Sequence, residues 1–454
     1  MTTSRTYRLT AQDRTGWFLG LDAAQVTTLT AALLGGALLA RRGAYTAATG
    51  IVPLGLAVAF LRVGGESLHR VVGPLVAFTG RRALGRHRSF AKVAPPGSSS
   101  PELPRALGAV EVTTVPAGPL ARFAGDPEVA VVTDRKSRRA TISIRVSGDG
   151  FTLADPADQD RFCAGWGDAL AACAAAPTAP AAVQVTVRSA PETGVVGAVR
   201  REALVTIVAD RHLRRSADTA PVVTEAARLA DRLMAAGLSV DGVLDAAAWA
   251  TTVRETFDPC GQAERARSLG ERAGVSHPAS AGPLAVVQEW SAVRVDGSWH
   301  RAYLVAEWPR VEVPASWLAG LAFCEGPTWS LTVSFEPVPA RKARQAIERQ
   351  AAKLSSDEEQ RRRAGFRVGA THQRHQEDLA AREAELVAGH AEYEYAGIAV
   401  VSAETLAALD EDSATLVAAA AASGIELRPL HGRHLAGLGA SLPVPAGLHR
   451  TGQR

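Results

Sequence analysis

Two apolar runs lie back to back near the start of the chain, separated by a pair of arginines, and they constrain the fold more than any other feature. Residues 23–40 carry no charged side chain, Arg41 and Arg42 interrupt, and residues 43–61 are uncharged again. A stretch of about 20 apolar residues matches a hydrocarbon core of roughly 30 Å at about 1.5 Å of rise per helical residue. Lipid offers the backbone no hydrogen bonds, so a segment crossing it is a helix or part of a closed barrel. The pattern therefore predicts an N-terminal transmembrane helical hairpin. Trp17 and Phe18 before the first run and Tyr45 at the turn sit where interfacial aromatics belong. Gly35, Gly36, Gly50 and Gly55 are small enough to let two helices approach closely. Pro53 is tolerated where a neighbouring helix satisfies the freed carbonyl. The second run follows the first at once and no small-residue cleavage pattern intervenes, which argues against a removed signal peptide.

Arginine placement predicts the orientation. Arg5, Arg8 and Arg14 precede the first helix, and Arg62, Arg70, Arg81, Arg82, Arg86, Arg88 and Lys92 follow the second. Only Arg41 and Arg42 occupy the turn. The positive-inside rule puts both chain ends in the cytoplasm, with localisation at the cell membrane. Leu68–Phe78 is apolar between arginines and reads as an amphipathic piece lying in the interface, its basic neighbours near anionic headgroups.

The chain has 454 residues, enough for roughly two or three domains beyond the hairpin. Its net charge of +4 traces largely to the juxtamembrane arginines, so the basic pI does not argue for nucleic-acid binding, and no specific binding of that kind is expected. Cys163, Cys173, Cys260 and Cys324 form no CxxC spacing, and a cytoplasmic body implies reduced thiols.

Composition divides the chain into a hairpin with its basic juxtamembrane segment (1–92), a Pro/Ser-rich linker (93–107), a first α+β unit (108–260), a second linker rich in Gly, Ser and charge (261–283) and a second α+β unit (284–445). In the first unit, strands are predicted at 111–115, 128–133, 139–147, 183–187 and 203–208, with helices at 155–174, 224–236 and 244–257. In the second, 286–295 and 299–308 form a hairpin across Asp296-Gly297. A short helix at 314–323, a strand at 328–337, long charged helices at 340–363 and 371–390 and a strand at 393–401 follow. A helix at 402–423 capped by Ser402, a strand at 425–430 and a helix at 433–440 complete it. Alternation of this kind predicts two ferredoxin-like, split βαβ units.

Known chemical motifs are scarce. None of the four lysines, Lys92, Lys136, Lys342 and Lys353, follows a glycine, which excludes an ordinary phosphate-binding P-loop. There is no H-E-x-x-H, no G-x-S-x-G and no dinucleotide-binding glycine pattern. His372 and His375 share a helix face near Glu377 and His390, as zinc ligands do, but a solvated charged face explains them more simply. His431 and His434 repeat that spacing. Arg361–Arg363 stand beside Asp357, Glu358 and Glu359 and are expected to pair within the helix. Trp290, Trp299, Trp308, Trp317 and Trp329 lie within forty residues and read mainly as core, an aromatic binding surface being the alternative. The sequence assigns no catalytic residue, no cofactor and no metal ligand.

The run from His300 to Pro309, the helix with Trp317-Leu318, the strand Ser330–Phe335, the long charged helices, the strand Tyr395–Val401 and the ending Gly432–Pro443 follow a recognisable order. The chain resembles, over about residues 15 to 445, an actinobacterial family of integral membrane proteins encoded with conjugation or type IV secretion-like clusters. Scarce lysine and abundant alanine suit a high-GC genome. The body of that family is similar to the N-terminal, non-ATPase domain of conjugative secretion ATPases. There, a segment like Leu435–Pro443 leads into the motor; here the chain ends at Arg454. The resemblance thus implies a membrane-anchored scaffold without its own motor, docking a separate ATPase in trans and assembling as a homo-oligomer. No catalytic residue carries over. A type VII secretion membrane component, and a membrane-bound enzyme with an unrecognised site, are the alternatives.

Overall fold

The structure, a computed structural model, describes residues 6–7, 23–63, 66–91, 110–134, 136–148, 150–176, 179–191, 199–210, 219–261, 278–363 and 370–445. Strand β1 (Thr6–Tyr7) comes first, followed by helices α1 (Ala23–Arg41) and α2 (Tyr45–Phe60), the short pair β2 (Arg62–Val63) and β3 (Glu66–Ser67), helix α3 (Leu68–Ala83) and strand β4 (Arg88–Phe90). The first body segment runs β5 (Val110–Pro116), β6 (Glu128–Asp134), β7 (Arg139–Ser147), α4 (Pro156–Ala174), β8 (Ala182–Pro191), β9 (Val199–Asp210), α5 (Ala220–Ala235), β10 (Ser239–Val243) and α6 (Ala246–Phe257). The second runs β11 (Ala285–Gln288), β12 (Val293–Val295), β13 (Ser298–Glu307), β14 (Val313–Pro314), α7 (Ala319–Ala322), β15 (Thr328–Pro337), α8 (Ala340–Arg363), α9 (Ala370–Val387), β16 (Tyr393–Ala403), α10 (Leu406–Ala422), β17 (Glu426–Pro429) and α11 (His434–Ala440).

The body is mixed α+β, built on one large antiparallel sheet of 13 described strands in the order β4-β11-β12-β13-β16-β15-β8-β9-β7-β6-β5, with β10 also on β7 and β17 also on β13. Each segment contributes the same arrangement. In the first, β10, β7, β9 and β8 are neighbours in that order; in the second, β17, β13, β16 and β15 are. Each set follows the chain order β-α-β-β-α-β. The edge of β7 facing β10 is shared with β6, and the edge of β13 facing β17 is shared with β12. The charged pair α8–α9 is inserted between β15 and β16 of the second set. The two sets meet where β8 pairs with β15, from Val183 opposite Phe335 to Ser189 opposite Trp329. Antiparallel pairing of equivalent strands creates a local two-fold relation, and Thr186 faces Thr332 near its centre.

Strand alternation decides which face each side chain enters. Along β7, Ala140, Ile142, Ile144 and Val146 join a core with Val205, Ile207 and the apolar stripe Val222, Val223, Ala226, Leu229, Ala230 and Leu233 of α5. On the same face of the second set, Tyr303, Leu331, Ala399 and Val401 meet Leu409 and Leu416 of α10. The opposite face is covered by α6 and α11, with Trp249, Val253 and Phe257 packed among Leu204, Ile398, Val400, Leu435 and Leu438. At the seam that second face is polar and buried. Thr186 and Thr332 hydroxyls lie 3.1 Å apart, and the Gln184 amide donates to the carbonyls of Ala440 (3.2 Å) and Leu442 (3.3 Å); farther along the same sheet, between β7 and β9, Ser143 and Thr206 hydroxyls lie 2.8 Å apart.

The described residues leave the membrane-crossing expectation without support and depart from several predicted element bounds. The hairpin exists as a helix pair, but among the described residues no helix is long and apolar enough to cross a membrane. Helix α2 has 16 residues, a rise of about 24 Å against roughly 30 Å of hydrocarbon. The predicted strand 286–295 divides into β11 and β12, and β12 with β13 makes the hairpin across Asp296-Gly297. The helix expected at 314–323 shrinks to four residues. The helix expected to start at Ser402 starts at Leu406: β16 continues to Ala403 because Ser402 still has strand partners on both sides, and Thr405 caps the helix by accepting from Ala408 N–H (3.1 Å). Linker 93–107 and most of 261–283 lie outside the described residues.

The Trp249 indole N–H donates to the Pro443 carbonyl at 3.0 Å in the buried layer over the second face. Replacing Trp249 with Phe leaves that carbonyl without its donor, and urea unfolding should show a stability loss of about 1–3 kcal/mol.

Candidate functional site

The hairpin combines an inward face of small residues with an outward face of large apolar ones. A Cβ added at Gly55 would stand 2.3 Å from the Cβ of Ala32, so only glycine fits where the helices are closest. Gly36 lies against Val52 and Ile51, Gly35 against Ile51, and the Gln25 amide donates to Ala59 O across the pair (3.0 Å). Gly50, also expected at the contact, faces no neighbour there. Outward, Leu33, Leu34 and Leu38 of α1 and Leu54, Leu56 and Phe60 of α2 are exposed, with Leu34 at 67% and Leu54 at 62%. Arg41 and Arg42 flank the exposed Tyr45 at the tip. Trp17 and Phe18 lie outside the described residues.

Helix α3 joins this pair to the sheet. Phe78 is buried, edge-on to Trp290 at 5.6 Å, and the Arg81 guanidinium donates to Gly432 O at 2.5 Å. Gly432 takes φ +65°, and a Cβ there would meet Trp290 at 3.0 Å, so a tight glycine turn receives the helix. In the segment expected to lie in the interface as an amphipathic piece, one side of α3 docks on protein, while Leu75, Val76 and the following Leu84 remain exposed beside Arg82 and Arg86.

A buried polar cluster locks the end of α6 to β13 and β16. The Asp258 carboxylate accepts from Ser298 Oγ (2.7 Å) and Gly261 N–H (3.2 Å). Arg254 bridges Asp296 (2.5 Å) and Asp258 (3.6 Å), and donates to Gly282 O (3.0 Å). His300, fully buried, contacts Phe257 O through Nε2 (2.9 Å) and Ser402 Oγ through Nδ1 (2.8 Å). A carbonyl only accepts, so Nε2 carries the proton and Nδ1 accepts from the Ser402 hydroxyl. Burial holds the His300 imidazole down at about 4, against the opposing charges of Asp258 and Asp296. Burial pushes the Cys260 thiol up to about 11, so it is protonated at neutral pH. Mechanically, this cluster clasps both ends of the segment between α6 and β11. Its members lie on α6, β13, β16 and the turns beside them, and nothing in their sequence spacing announces them.

The residues picked out by spacing fare unevenly. His431 and His434 do come together, with ring centroids 6.1 Å apart. Yet His434 accepts from Ala302 N–H at Nδ1 (3.1 Å) and donates from Nε2 to Trp290 O (3.2 Å), so neither nitrogen is left for a metal. Burial, with the nearby His431 and Arg301, holds it down at about 3. His375, Glu377 and His390 are exposed on and beyond α9, and the His372 side chain lies outside the description. No group of three metal-ligating side chains occurs among the described residues. Arg362 and Arg363 both pair with Glu359, at 2.7 and 3.0 Å. Trp299, Trp308, Trp317 and Trp329 belong to the second set's core, where Trp308 packs edge-on to Tyr395 at 5.4 Å.

His300 and His434 are neutral in the fold, with values below the ordinary 6.5. The unfolded chain takes up these protons first, so their contribution is complete above pH 6.5 and is lost as pH falls toward 4 and 3. In chemical denaturation between pH 6.5 and 4, His300→Gln should flatten the pH dependence of unfolding free energy by about one proton relative to wild type. An unchanged slope would contradict the buried neutral imidazole. Compared with protein-family models and with curated proteins, the chain matches none.

Proposed function

We propose that this chain is a membrane-anchored scaffold of a conjugation or type IV secretion-like apparatus, one that docks a separate ATPase and holds it at the inner face of the bilayer. The observation that carries the anchoring is the outward leucine face of the hairpin. Helices that bury small residues against each other and expose Leu33, Leu34, Leu38, Leu54 and Leu56 fit a lipid solvent better than water. The modest length of α2 is met by local thinning of the bilayer and by snorkelling of Arg41 and Arg42. Positive flanks then keep both chain ends on the cytoplasmic side. Each β-α-β-β-α-β set is read as a ferredoxin-like unit. The scaffold role rests on the resemblance to the secretion family, and a broad sheet with a charged helix pair inserted beyond β15 suits docking of a motor and of further copies.

Placing one aspartate on each outward face tests the anchor. Leu34→Asp with Leu54→Asp costs about 3 kcal/mol per charge at mid-span. The wild-type chain should stay with membranes through an alkaline carbonate wash, and the double variant should be released. If the wild-type chain washes off, the anchor reading fails. The scaffold reading is checked separately: the detergent-extracted chain should retain an ATPase co-expressed from its own gene cluster, and loss of that ATPase on purification would overturn it.

A further inference from the structure

Where α3 meets the second set, contacts close a ring. Arg86 N–H donates to Arg81 O (2.8 Å), and Gln288 N–H donates to His87 O (2.8 Å). Two residues past Gln288, the Trp290 indole stacks on the His431 ring at 5.4 Å and 8°. Gly432 N–H donates to Trp290 O (2.8 Å), and Arg81 returns to Gly432 O (2.5 Å). On this ring, Arg81 Nε, His87 Nδ1 and His431 Nδ1 are buried without a hydrogen-bond partner. The other atoms so placed among the described residues are Arg433 Nε, on a residue that has another contact, and serine and threonine hydroxyls. Buried nitrogens are costly to leave unmatched; Arg81 Nε can only donate, and an imidazole Nδ1 donates in one of its tautomers, so an acceptor placed at this junction would meet all three.

We propose that this junction binds the phosphate group of an anionic ligand, held by Arg81, His87 and His431. The Arg81 fork already spends one nitrogen on Gly432 O, which fixes the direction of its Nε–H. In the tautomers with Nδ1–H, the two imidazoles add further donors, and an acceptor presenting several oxygens at once, as a tetrahedral phosphate does, would serve all of them. The charge balance agrees. From Ser67 to Pro101 the sequence has no Asp or Glu, but it has Arg70, Arg81, Arg82, Arg86, Arg88 and Lys92. Exposed Leu84 and Phe90 flank the site, which suits a lipid headgroup; a soluble phosphate has the same chemistry. The site does not depend on the hairpin crossing lipid.

The full chain in a maltoside detergent would be titrated calorimetrically with inorganic phosphate in one arm and with short-chain phosphatidylglycerol in the other. Binding is expected in at least one arm. Phosphatidylglycerol binding at least tenfold tighter than phosphate identifies a headgroup site, and equal affinities identify a soluble phosphate. Arg81→Lys keeps the charge and removes Nε, and His431→Phe keeps the stack on Trp290 and removes Nδ1; each should weaken binding about tenfold or more. Absence of binding in both arms, or variants that bind as wild type with unchanged melting temperatures, would overturn the proposal. The carbonate wash reads the anchor independently, so either reading can fail alone.

Discussion

The pairing of β8 with β15 is the interaction on which the body depends. Through seven paired positions, Val183–Ser189 against Phe335–Trp329, it turns two strand sets into one sheet. One face of that seam is apolar, with Val183 and Leu331 in the cores beneath the helices. The other carries Gln184, Thr186, Ser330, Thr332 and Ser334, all buried. Burying such groups is tolerable only when their hydrogen bonds are met. The Thr186–Thr332 pair and the Gln184 amide against the backbone of Ala440 and Leu442 provide much of this, so the C-terminal segment is part of the seam. An ion network continues it: Arg188 donates to Thr256 Oγ1 (2.6 Å) and pairs with Glu202, which also accepts from Arg145 (2.8 Å). The Arg188 and Arg145 guanidinium groups hold the Glu202 carboxyl below its usual range even though burial, the largest single influence, acts the other way. Because buried hydrogen bonds are directional, this polar stripe pins the register that apolar packing alone would leave less defined.

The rest of the architecture follows from covering both faces. A sheet carrying helices on one side only would expose Leu204, Ile398 and Val400; α6 and α11, the last helix of each set, close over them. The segment between α6 and β11 is consequently tied down at both ends by Asp258, Arg254, Asp296 and Ser298. The same side of the molecule receives α3, through Phe78 and Arg81, so the path from hairpin to sheet passes over the Gly432 turn. A load on the hairpin would therefore reach the second set directly.

Much of this was legible in the chain, because local periodicity is a local property. The strands at 139–147 and 328–337 and the helix at 340–363 match their predicted bounds, since period-two and charged helical patterns there are unbroken. The glycine stops at Gly237 and Gly424 take positive φ as helix ends demand. Ser402 misled because a serine before a helical pattern looks like a cap, while its place in the ladder between β13 and β15 is a long-range fact. Strand β10 went unseen because Ser239–Val243 contains Asp241 and Gly242, which depress strand propensity; pairing with β7 overrides that. The hairpin glycines Gly35, Gly36 and Gly55 were readable as contact points, and Gly50 was not, because helical phase rather than residue size decides which glycine meets the partner.

The uncharged hairpin, the basic stretch after it, the α+β composition and the phase of each strand's apolar face are written locally, because they depend on neighbours a few residues apart. The closed sheet alone fixed that the two sets repeat one strand order and fuse through β8 and β15. It also decided that His300, Ser402 and Asp258 share a cluster, and that Arg81, His87 and His431 stand on one ring. Those groupings join parts of the chain from tens to hundreds of positions apart, such as His300 with Ser402 and Arg81 with His431, where no periodicity carries information and only the closing of the sheet brings them together.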